Sequence, residues 1–352
     1  MGLYSHTPFA ITRNLSVAPR LRENLFALAN VGILAPHLPR IHSFRSKELT
    51  MAKVIFGVHT GQQDISLEEL RRLWKHCDAS GFEWISVWDH LYEAPNRNGE
   101  GPTYEAIPLM AALAVETQNV RIGCLVFCMG YRNPALLAKS LTTIDHLSGG
   151  RVTVGLGAGW HVEEHAAYGY DFPGVKERLD RLSEGTRIIR AMLSHDRSSF
   201  TGQYYRTDNI SNEPRPMQAR VPIIIGGRGE QRTLRMAAAR ADGWNVPYIS
   251  VEEFKQKNEV LNQWCDHYKR DPKTIERSVN LHFLMSSTGQ DVSARLGPMG
   301  AQGGLSGTPQ QVIDRIGQYI DAGAGQINIA FRPPVDYPAL QQYIDKVMPA
   351  FR

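Results

Sequence analysis

The feature that most constrains the fold is a regular alternation of short strand-like segments and longer helical segments, which runs from residue 54 to the C-terminus. Runs of apolar and β-branched residues alternate with stretches in which apolar residues recur every three or four positions. Eight such runs are Val54–Val58, Trp84–Trp88, Val120–Phe127, Arg151–Leu156, Ile223–Ile225, Trp244–Val246, Val279–Met285 and Gln326–Phe331. Alternation with right-handed crossovers forms a parallel sheet, and eight units close on themselves. The sequence therefore predicts an α/β protein, a (β/α)8 barrel with a small hairpin insertion at about residues 198–206.

The first 50 residues differ from the rest in charge. They contain six basic and two acidic residues, which accounts for the whole formal net charge of +4. Their composition resembles a transit peptide, but Met51 opens a natural first strand and is a plausible start of translation. We therefore expect residues 1–50 to be an N-terminal extension, disordered or not native, and residues 51–352 to be one barrel domain. Because that domain has no charge excess, no nucleic-acid partner is expected.

The cysteines and the hydropathy of the sequence indicate the cellular compartment of the protein. The four cysteines, Cys77, Cys124, Cys128 and Cys265, have no CxxC spacing and favour a reduced environment. No apolar run reaches the roughly 20 residues of a membrane span. The sequence thus predicts a cytoplasmic protein that does not enter a membrane.

A glycine-rich turn lies between the fifth predicted strand and a helix over Thr233–Ala239. It reads Gly226-Gly227-Arg228-Gly229. Glycines allow an anion close to the backbone, and the N–H groups at the start of a helix point towards it. The turn therefore indicates a phosphate site, although a tight turn without a ligand has the same pattern.

The residues that follow the predicted strands indicate the kind of site. In parallel barrels these positions form the functional rim, and here they are mostly glycine, aromatic and apolar, which suits a large planar cofactor. One competing pattern, His161-Val162-Glu163-Glu164-His165, matches the H-x-x-E-H sequence of some zinc proteases. A third ligand and the usual helical context are missing, so no metal is predicted.

Several motifs across residues 53–350 resemble those of the luciferase-like flavin and deazaflavin oxidoreductases, and most closely the branch that uses coenzyme F420. The motifs are WDH at Trp88–His90, YRNPALLAK at Tyr131–Lys139, SGGRVTVGLGAGW at Ser148–Trp160, RLDRLSEG at Arg178–Gly185, IIIGGRG at Ile223–Gly229 and ADGWN at Ala241–Asn245. The resemblance implies a luciferase-like TIM barrel, F420 as cofactor with FMN as the alternative, and a homodimer.

The resemblance also implies roles for single residues. The cofactor-binding residues would be Leu125, Val126, Gly157, Gly159, Gly226, Gly227, Arg228 and Gly229. Relatives place a non-prolyl cis peptide at the position of Leu125-Val126. Asp89 and His90 match an Asp-His pair near the reactive edge of the cofactor, where the histidine acts as acid or base. A cap or a core hydrogen bond at the end of the strand is the alternative for His90.

Trp160 marks a departure from one branch of the family. The sugar-phosphate dehydrogenases have a glutamate at this position, so the resemblance does not extend to a sugar-phosphate substrate. Trp160 is expected to form an apolar wall of the substrate pocket, with His161 as a polar contact. The implied activity is hydride transfer between F420 and a small molecule with an activated C=C, C=N, nitro or carbonyl group, or oxidation of an alcohol. The alternatives are an FMN-dependent monooxygenase that uses oxygen, and a barrel that binds the ligand without turnover.

Overall fold

The computed structural model describes residues 54–94, 99–289 and 303–352, which form a closed parallel barrel. The strands are β1 Ile55–His59, β2 Trp84–Val87, β3 Arg121–Cys128, β4 Val152–Gly157, β5 Arg197–Thr201, β6 Arg206–Ser211, β7 Ile223–Gly226, β8 Gly243–Pro247, β9 Glu276–Leu284, β10 Gly304–Ser306 and β11 Gln326–Ala330. Eight of them pair side by side in the order β1, β2, β3, β4, β7, β8, β9, β11, and β11 returns to β1. The predicted (β/α)8 barrel is confirmed.

Helices connect the barrel strands and cover the outside of the sheet. They are α1 Leu67–Ala79, α2 Ala106–Glu116, α3 Pro134–Ser148, α4 Val162–Ala167, α5 Val175–Ser194, α6 Arg235–Arg240, α7 Val251–His267, α8 Pro309–Asp321 and α9 Tyr337–Gln342. Their starts follow the expected chemistry: Ser66 caps α1 through the N–H of Glu69, and Thr308 and Gln311 form a capping box at α8. In the part of the chain that the structure describes, no helix is both long and apolar enough to cross a bilayer.

Two remaining pieces interrupt the simple alternation. Strands β5 and β6 pair antiparallel as a hairpin, which confirms the predicted insertion, and the carboxylate of Glu184 accepts hydrogen bonds from three backbone N–H groups of its turn. Strand β10 pairs in parallel with the last residues of β9, His282–Leu284. Gly297 and Gly300, from the glycine-rich segment 297–307, lie outside the described residues. The predicted extension over residues 1–50 lies outside them as well.

The helix after the glycine turn starts differently from the prediction. A π-helical turn over Glu230–Leu234 precedes α6, and the N–H of Leu234 donates to the carbonyl of Gly229 five residues back. A similar turn over Tyr343–Val347 follows α9. Periodicity cannot separate these forms, because a widened turn moves the apolar stripe by only one position.

The inside of the barrel contains a chain of hydrogen-bonded amides below the rim. Gln326 donates to Asn328 (2.8 Å), and Asn328 donates to the side-chain oxygen of Asn280 (2.9 Å). Asn245 donates to the same oxygen (3.0 Å) and to the hydroxyl of Ser278 (2.9 Å). Buried amides are stable only when their groups are paired, and this chain pairs them across β11, β9 and β8. Asn245 and Asn280 of this chain also line the cavity at the rim.

Candidate active site

A cavity of about 620 Å³ opens at the carboxyl ends of the barrel strands. Ligand pockets in proteins commonly measure about 300–1,000 Å³, so a cofactor and a small substrate can share this space. The cavity is lined by His59, Trp88, Asp89, His90, Ala94, Leu125, Val126, Cys128, Tyr131, Gly157, Ala158, Gly159, Trp160, Glu164, Gly226, Gly227, Thr233, Asn245, Pro247, Tyr248, Asn280 and Arg332. Most of the residues predicted for the site from the ends of the strands therefore meet in one place.

The peptide bond between Leu125 and Val126 is cis, as the resemblance predicted. The Val126 side chain lies between two glycines on neighbouring strands. A Cβ on Gly157 would lie 2.4 Å from Val126 Cγ2, and a Cβ on Gly226 would lie 2.6 Å from Val126 Cγ1. These two glycines therefore leave room for the valine, and together the three residues form one surface of the cavity.

This packing leads to a prediction about Gly157. Gly157→Ala should lower the free energy of unfolding by about 1–3 kcal/mol, because the new methyl group overpacks against Val126. Val126→Ala removes the clashing methyl groups, so the double variant should recover part of the loss. Urea unfolding of the two single variants and the double variant measures the coupling. Strictly additive effects would show that the glycine is required for another reason.

The glycine turn enters the cavity only in part. Gly226 and Gly227 line it, and Gly227 has a φ of +125°, which a residue with a side chain rarely adopts. Arg228 and Gly229, which were predicted to bind the cofactor, are not part of the lining. The Arg228 guanidinium is half exposed, donates to the carbonyl of Pro247 (3.2 Å) and lies 3.7 Å from the carboxylate of Glu253. The chain thus turns away from the cavity after Gly227.

Asp89 does not contact His90 through its side chain. The buried carboxylate forms two bonds with the guanidinium of Arg132, at 2.6 and 2.8 Å, and accepts the backbone N–H of Cys128 at 2.8 Å. Arg132 also pairs with Glu105. Burial by itself lowers the pKa of Arg132, but its bond to Asp89 and the charges of both carboxylates outweigh burial and raise it. This geometry indicates that Asp89 fixes the loop after β3, and it gives no direct support to the predicted catalytic role.

The partner of His90 is Glu164, which sequence reasoning missed. His90 Nδ1 lies 2.9 Å from Glu164 Oε1, and the second carboxylate oxygen accepts the N–H groups of Leu91 (2.8 Å) and Tyr92 (3.1 Å). The hydroxyl of Tyr131 also donates to Oε1. This carboxylate is almost completely buried, at 1% exposure. Four donors therefore converge on Glu164 and fix the orientation of the imidazole.

The charge of Glu164 follows from these bonds. Burial alone would raise the pKa of the carboxyl group, but the hydrogen bond and charge of His90, with the bonds of Tyr131 and Tyr92, lower it to about 2. Glu164 is thus ionised wherever an imidazole titrates. A fixed carboxylate on Nδ1 keeps that nitrogen protonated and leaves Nε2 for a ligand.

Trp160 and His161 have different environments. Trp160 is 60% exposed at the cavity, and its ring centroid lies 5.1 Å from that of His90, edge to face. His161 stacks behind Trp160 at 4.9 Å, is buried, and is absent from the lining. Its Nδ1 lies 3.1 Å from a carboxylate oxygen of Glu163. Trp160 is therefore part of the cavity wall, whereas His161 lies against Trp160 and is not part of the lining.

The second histidine of the H-x-x-E-H pattern has protein partners. His165 Nδ1 lies 2.8 Å from the carbonyl oxygen of His161, and its Nε2 lies 3.8 Å from Cys128 Sγ. Burial, followed by the charge of Asp89, raises the pKa of the Cys128 thiol to about 12, so this thiol is a poor nucleophile. Residues 54–94, 99–289 and 303–352 contain no group of three or more side chains arranged to bind a metal.

Comparisons with known proteins place the chain among F420-dependent relatives. An F420-dependent glucose-6-phosphate dehydrogenase of Nakamurella multipartita is 31% identical over 197 residues, which cover 56% of this chain and 57% of the relative. An F420-dependent hydroxymycolic acid dehydrogenase of Mycobacterium tuberculosis is 34% identical over 227 residues, covering 63% of this chain and 61% of the relative. Both alignments thus span less than two thirds of the curated relative.

The solved structures are similar in fold. An F420-dependent secondary alcohol dehydrogenase in complex with an F420-acetone adduct superposes with a TM-score of 0.75 at 18% identity, covering 85% of this chain and 99% of the other. The profile of the family described as luciferase-like monooxygenase matches residues 49–302. Because that match includes well over half of the sequence, this chain belongs to the luciferase-like monooxygenase family.

Proposed function

We propose that this chain is an F420-dependent oxidoreductase that transfers a hydride between the cofactor and a small organic substrate. The observation that carries the proposal is the position of the His90–Glu164 pair in the same cavity as the surface formed by Val126, Gly157 and Gly226. That surface suits the flat face of a deazaflavin, and the pair provides an acid or base beside it. The names of the two curated relatives support F420 as the cofactor.

The described residues fit a cofactor of this kind. A side chain at Gly157 or Gly226 would meet Val126. Gly159 has a φ of +79°, and a Cβ added to it would lie only 2.6 Å from Cys128 Sγ. Backbone therefore lines this side of the cavity, where a flat ring system can approach closely. We assign the ring and the atoms next to it to Leu125, Val126, Gly157, Gly159, Gly226 and Gly227. Arg228 and Gly229 remain available to a phosphate-bearing side chain that extends beyond the cavity.

The protein residues would orient the substrate and move a proton. When bound, F420 gives or accepts a hydride and, as a deazaflavin, reacts poorly with oxygen. His90 would donate a proton to the atom of the double bond that does not receive the hydride, or remove the hydroxyl proton of an alcohol, through the nitrogen that Glu164 leaves free. Trp160 forms an apolar wall beside His90 and limits the access of water to it.

The proposed substrate class follows from the chemistry of hydride transfer. We expect a C=C, C=N, nitro or carbonyl group, or an alcohol in the reverse direction, because each exchanges a hydride and a proton. The Nakamurella relative is named for glucose-6-phosphate. Trp160 stands where the resemblance places a glutamate in sugar-phosphate dehydrogenases, so we do not extend that substrate to this chain.

Titration with the two cofactors tests the proposal. We expect the full-length protein, in low-phosphate buffer, to bind F420 at least tenfold more tightly than FMN, measured by fluorescence quenching. FMN is the matched comparison because it has a phosphate and a similar tricyclic ring. The reverse preference, accompanied by oxygen consumption in the presence of a reductant, would favour the monooxygenase chemistry in the family's description. Binding of neither cofactor would reject the proposed function.

Assembly and location are also part of the proposal. We propose a cytoplasmic homodimer in which residues 51–352 form the barrel domain and residues 1–50 an extension that the reaction does not require. Light scattering on the full chain and on residues 51–352 gives the molecular mass of each particle. A monomer at the concentrations used for the assay would contradict the dimer.

A further inference from the structure

The cavity wall after β11 carries a cation that the proposed chemistry does not use. Arg332 follows β11, lines the cavity and donates from Nη1 to the carbonyl of Ala94 at 2.8 Å. Its guanidinium carbon lies 5.1 Å from the ring centroid of Trp88. Within the described ranges, no carboxylate forms an ion pair with Arg332. The other charges of the lining are matched, since Asp89 pairs with Arg132 and Glu164 with His90.

Buried polar atoms near Arg332 also lack partners. Among the residues that the structure describes, Trp88 Nε1 and both ring nitrogens of His282 form no hydrogen bond, although these residues are only 5% and 1% exposed. The Tyr248 ring, which lines the cavity, stacks on His282 with centroids 3.7 Å apart. A buried donor without a partner is costly, so such atoms commonly mark the place of a ligand or an ordered water.

The two histidines near Arg332 do not supply a second charge. Burial, and then the charge of Arg332, lowers the pKa of His59 to about 3 and that of His282 to about 4. Both imidazoles are therefore neutral at physiological pH. As far as the structure describes this wall of the cavity, it thus presents one unpaired positive charge beside neutral polar groups.

The barrel order separates Arg332 from the surface assigned to the cofactor. Strand β11 is four strands from β4 in either direction around the ring, so Arg332 lies across the barrel from Gly157 and Gly159. In contrast, Arg332 and His90 both contact Trp88, whose ring centroid lies 6.2 Å from that of His90. An anion held at Arg332 would therefore belong to a molecule that extends along Trp88 towards the proposed acid or base.

We propose that Arg332 is a specificity-determining residue that binds a carboxylate on the substrate. The inference rests on the proposed function and names the substrate class, a carboxylic acid whose reducible or oxidisable carbon lies next to His90. A planar guanidinium matches a carboxylate through two parallel N–H bonds, and the unpaired N–H of Trp88 is a further donor on this wall. A phosphate, or the anionic side chain of the cofactor, would bind to the same groups. The experiment distinguishes these two anions from a substrate carboxylate.

The experiment compares benzoate with benzamide, which have the same shape but different charge. Calorimetric titration of the full-length protein loaded with oxidised F420 should show at least tenfold tighter binding of benzoate. Arg332→Gln should remove this preference and leave benzamide unchanged, and Arg332→Lys should keep part of it. Arg206→Gln, an exposed arginine on the hairpin strand β6, is the matched control and should behave as wild type.

Three results would overturn the proposal. The first is equal binding of benzoate and benzamide, or a preference that survives Arg332→Gln. The second is that inorganic phosphate binds more tightly than benzoate and that this binding depends on Arg332. The site would then be a phosphate site. The third is that Arg332→Gln weakens the binding of F420 but not the binding of the deazaflavin core that lacks the anionic side chain. That result would assign the arginine to the cofactor. If F420 does not bind at all, the proposed function fails, and the same comparison on the cofactor-free protein still tests the subsite.

Discussion

Replacing His90 with glutamine is expected to lower kcat for F420-dependent hydride transfer by about 10²–10⁴-fold, the usual contribution of a positioned acid or base. The affinity for oxidised F420 should remain unchanged, because the surface assigned to the ring consists of Val126, Gly157 and Gly226. Glutamine can still hydrogen-bond to Glu164 through its amide, so the loop after β2 should keep its shape. Single-turnover kinetics with a substrate found by screening carboxylic acids, together with fluorescence titration of F420, measure the two quantities separately.

Glu164→Gln provides the comparison that separates chemistry from positioning. The variant keeps the shape of the side chain but removes the charge that faces His90 Nδ1. Without this charge the side chain no longer fixes which ring nitrogen of His90 carries the proton, so kcat should fall, but by less than in His90→Gln. The backbone bonds to Leu91 and Tyr92 should survive in part, since an amide oxygen still accepts.

Normal kcat in His90→Gln would support the alternative role of the histidine as a hydrogen-bond partner at the end of a strand. The imidazole would then only help to hold Glu164 and the loop after β2. A normal kcat in Glu164→Gln would contradict the positioning role. These outcomes are distinct, because stability, cofactor affinity and kcat respond to different functions of the pair.

The barrel and the position of the site could be predicted because both depend on local sequence. Each strand has its own apolar run, and the carboxyl ends of parallel strands meet on one rim. The residues after the strands therefore include His59, His90, Gly157 and Gly226, which all line one cavity. The cis peptide at Leu125-Val126 is predicted only by the resemblance, because nothing in the local sequence requires it.

Contacts between distant segments could not be predicted in the same way. Glu164 is 74 residues from His90 in the chain, and its sequence context favours a polar helix start in a loop, which gives no sign of this contact. Asp89 and His90 are adjacent in sequence and look like one functional pair, yet their side chains bind different partners. Arg332 follows the eighth barrel strand and therefore belongs to the same rim, but the sequence does not show which charges lie beside it in the cavity.

The separation of Asp89 from His90 leads to the second large effect, which concerns stability. Asp89→Ala should lower the free energy of unfolding by about 3 kcal/mol, because breaking a buried ion pair leaves an uncompensated charge. The alanine removes both bonds to Arg132 and the acceptor of the Cys128 N–H, while Glu105 still compensates part of the charge. The carboxylate has 1% side-chain exposure, so water cannot easily replace it. Urea unfolding followed by fluorescence measures the change.

Matched variants decide whether Asp89 acts on the fold or on the reaction. Asp208→Ala removes an exposed carboxylate from the hairpin strand β6 and should change the stability very little. Asp89→Asn keeps an acceptor for the Cys128 N–H and should destabilise less than Asp89→Ala. We expect the folded Asp89→Asn protein, at saturating F420, to retain most of its kcat. If it unfolds like wild type but loses activity as completely as His90→Gln, Asp89 takes part in the reaction and its bonds to Arg132 are secondary. The contrast works because the two residues share a loop, so a general distortion of that loop would affect stability and kcat together.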